Sequence, residues 1–405
     1  MGTKTSAVQG AEISSESDRS ESDGQLLLGE ESTAQPTISI VMPTMDEEEG
    51  IRECIHRGKN ALAELGVRGE IIISDSSTDA TPSIARQMGA IVVEPDKKGY
   101  GYAYRYAFER ARGDYIVMGD ADTTYDFEEL PKLLRLLKDE NADMAMGSRL
   151  EGDILPGAMP PLHQYVGNPL LTRFLNLFYD ADVSDAHSGF RVLTREALEE
   201  LELRSNGMEF ASEMIMDAGE KGLKIVEMPI TYHPREGEAT LESFEDGWRH
   251  VKFMLVNAPD YLFSVPGAFM GLVGVLLMGL ASLNMRVGGQ SFGIHSQIAG
   301  SLLTILGFHV GSLGLLTELV GNPIRQPEDR LTRVVRTHFT LERGIGLGLG
   351  LFFTGGITAV YLLYQWIQSG FTDLPIVSVD IIVFTLIILG LEIVFGSFFV
   401  AIVRD

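Results

Sequence analysis

Four stretches in the last third of the chain are almost free of charge, and they leave little choice of fold. Ser264–Met285 has no charged residue, and Gly344–Ile367 has none. Ile294–Thr317 carries only the titratable His295 and His309, and Ile381–Val403 only Glu392. Each exceeds the roughly 18 residues that mark a membrane-crossing helix. Backbone polar groups in hydrocarbon must be satisfied inside the segment, which leaves helices at this length. A membrane domain of four helices is therefore expected over 264–405, spanning about 264–285, 294–317, 344–367 and 381–403.

The loop between the second and third spans holds Arg325, Arg330, Arg333, Arg336 and Arg343. The loop after the first span has only Arg286, and the loop after the third has no basic residue. Excess Arg marks the cytoplasmic side. A multi-pass protein of the cell membrane, with its N-terminal domain in the cytoplasm, is expected.

The rest of the chain is a different material. From Ser264 onward there are seven Arg, no Lys and eight Asp or Glu, so nearly all of the net charge of -24 belongs to the first 263 residues. Nucleic acid is excluded as a partner, because phosphate backbones call for basic surfaces. Abundant acids with little Lys resemble proteins of salt-loving archaea; an ordinary acidic protein is the alternative. The single cysteine, Cys54, sits in a helical pattern and reads as a small buried apolar residue. Residues 1–36 are rich in Ser, Glu, Asp and Gly and read as a disordered acidic tail. Leu26-Leu27-Leu28 is too short for a signal-peptide core.

Residues 37–238 alternate strand and helix. Ile38–Met42, Glu70–Ser74, Ala90–Val93, Tyr115–Met118 and Ala142–Met146 are short apolar runs. Helical patterns separate them at Asp46–Leu65, from about Thr81, at Gly99–Arg112 and at Phe127–Lys138. This alternation predicts an α/β domain with a mostly parallel, Rossmann-like sheet, whose ligands bind beyond the carboxyl ends of the strands. Between this domain and the spans, 239–263 reads as an amphipathic helix. Leu241, Phe244, Trp248, Val251 and Leu255 share one face, which lies either in the membrane interface or against the domain.

The apolar run Tyr115–Met118 ends in Asp120-Ala121-Asp122. Two carboxylates spaced this way in a turn can share a hard cation, Mg²⁺ or Mn²⁺, whose other ligands are water and substrate phosphates. A D-x-D alone occurs by chance; its neighbours carry the argument. VMPTMDEEEGI (41–51), SDSSTDAT (74–81), GDADTTYD (119–126), GSR (147–149) and DAHSGFR (185–191) occur in this order. Together with 207–250 they resemble the family 2 glycosyltransferases of GT-A fold, and among them the dolichyl- or polyprenyl-phosphate hexose synthases. The resemblance covers about Thr37–Leu255.

That resemblance implies inverting transfer of a hexose from a nucleotide-diphosphate sugar to a polyprenyl or dolichyl phosphate, for protein or lipid glycosylation. UDP-glucose is favoured over GDP-mannose. Pro43, Thr44 and Glu47 match the first nucleotide-contacting turn, and Asp75 the acid that pairs with the base; a helix N-cap is the other reading of Asp75. Lys98, before Gly99 and Gly101, opens a helix and would meet phosphate; a plain turn is the alternative. Asp120 and Asp122 would hold the metal. Relatives often carry Gln two residues after the second acid, where Thr124 stands here. Arg149 would neutralise diphosphate; a surface pair with Glu151 is the alternative. Asp185, Ser188 and Arg191 line the acceptor and sugar side. Glu209 and Glu213, four apart, would share a helical face, holding sugar hydroxyls or only solvent. Arg235 matches the Arg of an R-x-x-G-x-S-K element, with Ala239 and Thr240 replacing its Ser-Lys.

Asp122, Arg149, Asp185 and Arg191 are thus the expected catalytic set. A phosphate acceptor is largely ionised already and needs positioning more than deprotonation, which weakens the case for a dedicated general base; for a hydroxyl acceptor a base would be needed, with Asp185 or Glu213 the candidate. A transferase extending a lipid-linked glycan is one rival, and a non-catalytic membrane binding protein is another. His309, Glu318 and Glu392, in or near the spans, serve either function or helix contacts.

Overall fold

The computed structural model describes residues 26–179, 181–237, 243–320, 324, 340–372 and 377–404. Most of the acidic tail, residues 238–242 and the arginines at 325, 330, 333 and 336 lie outside them. The chain divides into two compact units, Met1–Met254 and Leu255–Asp405.

The first unit follows the alternation of its sequence. Its elements are β1 (Ile38–Thr44), α1 (Ile51–Leu65), β2 (Gly69–Asp75), α2 (Thr81–Gln87), β3 (Ile91–Val93), α3 (Tyr100–Phe108) and β4 (Tyr115–Met118). After β4 come α4 (Leu130–Asp139), β5 (Met144–Ile154), α5 (Asn168–Tyr179), β6 (Arg191–Thr194), α6 (Arg195–Glu200), α7 (Phe210–Glu220), β7 (Ile225–Tyr232) and α8 (Ser243–Val256). The seven strands lie in the order β3-β2-β1-β4-β6-β5-β7. β1 pairs in parallel with both β2 and β4, and β6 runs antiparallel between β4 and β5. Chain order reverses at β1 and β4, which opens a crevice beyond their carboxyl ends.

Ile38, Ile40, Met42, Ile71, Ile73, Val117 and Val192 form the centre of the core, packed by α1 and α4. Cys54 is buried among them on α1. Burial pushes its thiol up to about 12, which makes it unreactive. Leu27 and Leu28, inside the segment expected to be disordered, are ordered. Leu28 N donates to Gly69 O at 2.8 Å and Gly69 N to Leu26 O at 2.8 Å. The expectation for 26–36 failed because three leucines can extend a sheet edge despite acidic neighbours.

The second unit contains four helices long and apolar enough to cross a membrane: Asp260–Ser282, Ile294–Thr317, Leu341–Gln368 and Val377–Ile402. They belong to α9 (Val265–Ser282, after a π-turn), α10 (Ile294–Val320), α11 (Leu341–Gln368) and α12 (Val377–Arg404). Glycines set their contacts. A Cβ on Gly307 would lie 2.3 Å from Gly271 N, and one on Gly390 would lie 2.6 Å from Gly348 O. Close backbone approach of this kind drives helix association in lipid. α10 and α12 run parallel, joined by Ser301–Thr385 at 2.6 Å and by Gln297 Nε2 donating to Ser378 O at 2.6 Å. His309 Nδ1 lies 3.5 Å from Glu392 Oε1 on the same interface.

Candidate active site

The carboxyl edge at the β1/β4 crevice collects the acids. β1 ends at Thr44 and β2 at Asp75, in register with each other. Thr44 Oγ1 and Ser77 Oγ both donate to Asp75 Oδ1, at 2.7 and 2.6 Å, and Oδ2 receives neither. Asp75 does not cap α2, whose N-cap is Ala80. It lines a cleft of about 390 Å³ together with Ser76, Pro82, Glu94, Asp96 and Lys98. Pro43 and Glu47 flank the same edge.

β4 releases Asp120 and Asp122 into a strained turn. Thr123, β-branched, takes φ 66, a conformation such residues rarely adopt. Strain of this kind concentrates at functional turns. A Cβ on Gly50 would come within 2.9 Å of Ala121 O, so the glycine before α1 is what lets this turn pack there. Thr124 is not a free ligand: its Oγ1 donates to Asp122 Oδ1 at 2.6 Å and its N to the same oxygen at 3.2 Å. It orients the carboxylate. Tyr100 OH donates to Asp120 Oδ1 at 2.9 Å. Asp120 is pushed up to about 6, by burial first and by the Asp122 charge second, while Arg149 and Arg235 pull it back. Two crowded carboxylates in this state suit a hard divalent cation. Among the described residues no group of three or more His, Cys, Asp or Glu is placed to hold one. Asp120 and Asp122 would hold it, with remaining ligands left to donor phosphates and water.

A buried ion pair forms the far wall. Arg149 Nε and Nη2 donate to Asp185 Oδ2 and Oδ1 at 2.7 and 2.9 Å, and Arg149 N donates to Oδ2 at 3.1 Å. The planar fork therefore faces Asp185 rather than Glu151. The guanidinium also lies 5.3 Å from the Tyr232 ring centre. Arg149 holds Asp185 below the usual carboxylate range against the effect of burial. The Asp185 backbone is fixed by Glu227 Oε1, which accepts from its N at 3.2 Å. Opposite, Arg235 bonds Glu47 Oε1, and its Nη1 lies 3.4 Å from Asp122 Oδ2. Burial pushes Glu47 up to about 7 despite that guanidinium.

The family model for Glycosyl transferase family 2 matches residues 39–202, and that for Glycosyltransferase family 2 C-terminal transmembrane region matches 315–404. The low-salt glycan biosynthesis hexosyltransferase Agl6 of Haloferax volcanii is 56% identical over 384 residues, 95% of this chain and 93% of that one. This chain belongs to glycosyltransferase family 2. The dolichyl-phosphate hexose transferase of the same organism is 35% identical over 216 residues, covering 52% of this chain and 89% of that one. The dolichol-phosphate mannosyltransferase of Pyrococcus furiosus is 27% identical over 249 residues, covering 59% of this chain and 70% of that one. A solved glucosyl-3-phosphoglycerate synthase from Mycobacterium tuberculosis superposes with a TM-score of 0.44 at 24% identity, covering 55% of this chain and 79% of that one; that likeness is too slight to argue from. The family membership and the four spans make this a membrane-bound glycosyltransferase of GT-A fold, and the non-catalytic reading falls.

Several expected site residues of this glycosyltransferase stand behind the crevice. Arg191 is fully buried, with its donors on Ser188 O, Ala211 O and Ala186 O at 2.9, 3.0 and 3.0 Å. It ties the 185–191 loop to α7 through these carbonyl groups. Ser188 is buried in the same loop. A Cβ on Gly189 would lie 3.2 Å from Asp120 Oδ2, so a larger residue there would press on that carboxylate. Glu213 accepts from Arg204 N and Ser205 N at 2.9 and 2.8 Å, and Glu209 from Gly207 N at 3.1 Å. Both carboxylates staple the 204–207 loop. Gly99 and Gly101 serve that loop too: a Cβ on either would strike Asn206 O or Ser205 O at 2.3 or 2.6 Å. Sequence reasoning missed Tyr100, Tyr125 and Glu227. Tyr125 OH accepts from Gly189 N at 2.7 Å. Its place inside GDADTTYD was the available signal.

Proposed function

We propose that the protein transfers a hexose from a nucleotide-diphosphate sugar to dolichyl or polyprenyl phosphate, with inversion. The observation that carries this reading is the cluster of Asp120, Asp122, Arg149 and Asp185 beyond the end of β4, on the same sheet edge as Asp75. The relatives named as dolichyl-phosphate hexose transferases support the acceptor. Asp75 would accept from a base N–H and Lys98 would approach the diphosphate. A lipid phosphate oxygen attacks the anomeric carbon, and the nucleoside diphosphate departs with the electron pair of the broken C–O bond. Arg149, held in place by Asp185, stabilises the negative charge growing on the leaving group. Mg²⁺ or Mn²⁺ on Asp120 and Asp122 would supply Lewis-acid stabilisation of the same oxygens. The acceptor phosphate arrives ionised, which suits a site whose acids are committed to arginine, metal and backbone. UDP-glucose is the donor we favour. The excess of Arg in the sequence between the second and third spans supports a catalytic unit on the cytoplasmic face.

Extension of a lipid-linked glycan is the second reading, favoured by the name of the 56% identical relative, a low-salt glycan biosynthesis hexosyltransferase. A panel of UDP-glucose, UDP-galactose and GDP-mannose, each offered with dolichyl phosphate or with lipid-linked glycan, separates the two. Label moving from UDP-glucose into a lipid that mild acid cleaves supports the first; label only in a larger glycan supports the second.

A further inference from the structure

Arg235 reaches the acids from a short strap that follows β7. Beyond β7 the chain turns back along the strained turn at 122–125. Tyr232 pairs with Tyr125 as an antiparallel bridge. His233 N donates to Thr124 O at 3.0 Å, and Glu236 N to Asp122 O at 3.1 Å. These bonds grip the turn on both sides of Thr123 and set the guanidinium between Glu47 and Asp122. The bridge is incomplete. Arg235 Nε and Glu47 Oε2 are both buried without a hydrogen-bond partner. Buried polar atoms left unpaired favour exchange for a better arrangement. In this arrangement the cation set against Asp122 is Arg235.

We infer that Arg235 is a resident cation which a divalent ion must displace from Asp122, and that the donor's diphosphate receives the displaced guanidinium. This rests on the assignment of Asp120 and Asp122 as metal ligands. Two consequences are physical. A divalent ion entering alone meets Arg235 across the same carboxylate, a like-charge contact in a part-buried site. When a diphosphate is present, the guanidinium gains a planar, doubly charged partner that its fork matches. Metal and nucleotide then strengthen each other's binding, and by linkage each does so by the same factor. Arg235 would make metal capture conditional on the donor.

The test measures Mn²⁺ binding to the full-length protein in lipid nanodiscs, by the spin-resonance signal of free Mn²⁺, with and without UDP or GDP. In the wild type, nucleotide is expected to tighten Mn²⁺ binding by on the order of tenfold. Arg235→Ala is expected to bind Mn²⁺ alone several-fold tighter than the wild type, and to show little further gain with nucleotide. If that variant fails to fold, Arg235→Lys, whose compact head cannot span both acids, is expected to move in the same direction by less. Equal Mn²⁺ affinities for wild type and variant without nucleotide would overturn the inference and leave the metal assignment standing. No Mn²⁺ binding by either protein, even with nucleotide, would overturn the metal assignment and the inference with it.

Discussion

At the scale of single residues, the site divides between groups that face the crevice and groups that hold them. Asp122 faces it; Thr124 aims Asp122 through a 2.6 Å hydrogen bond. Asp122→Ala is expected to abolish hexose transfer. Thr124→Ala leaves the carboxylate in place but free to turn, and a loss of about 10–100-fold is expected, as for partners that orient metal ligands. Steady-state transfer by purified protein measures both; equal losses in the two variants would refute this division. The strand-end placement of Asp75, Asp120 and Asp122 was legible in the sequence because each follows an apolar run. Tyr100 was not, because a tyrosine in an amphipathic run reads as core. Glu213 was legible as an acid on a helix face, but its bonds to Arg204 N and Ser205 N depend on a loop that no periodicity reveals. Arg191 was visible in its motif, yet only the structure shows that its donors go to carbonyl groups.

At the scale of elements, parallel alternation was readable, whereas β6 was not. Its four residues lie antiparallel between β4 and β5, and nothing in RVLT encodes direction. β5 was expected to end at Met146 and runs to Ile154. Past Arg149 it leaves the core, so alternating polar residues replaced the apolar signal. Gly152 permits the extension, because a Cβ there would lie 1.9 Å from Ile230 O. Gly152→Ala must push β5 away from β7, the strand that leads into the Arg235 strap. A destabilisation of about 3 kcal/mol is expected, at the upper end of ordinary substitutions, and thermal unfolding of the variant measures it.

At the scale of the whole molecule, the change of solvent near residue 260 was the plainest message of the sequence. Lack of charge alone marked four spans, and the helices match them with ends shifted by a few residues. The contacts between spans were less legible, because glycines that allow close packing look like any others until the helix faces are known. Sidedness is testable through the chain's single cysteine, which is buried. Gln290→Cys, on the exposed hairpin between the first two spans, is expected to react with a membrane-impermeant maleimide on intact cells. Lys97→Cys, at the cleft, is expected to react only after lysis. The reverse pattern would place the catalytic unit outside. The central claim, a metal-supported transfer onto lipid phosphate, is tested most directly by labelled UDP-glucose and protein in liposomes carrying dolichyl phosphate. EDTA is predicted to stop formation of a mild-acid-labile labelled lipid, and Mn²⁺ to restore it. Undiminished transfer in EDTA, or no labelled lipid with Mn²⁺ present, would contradict the account.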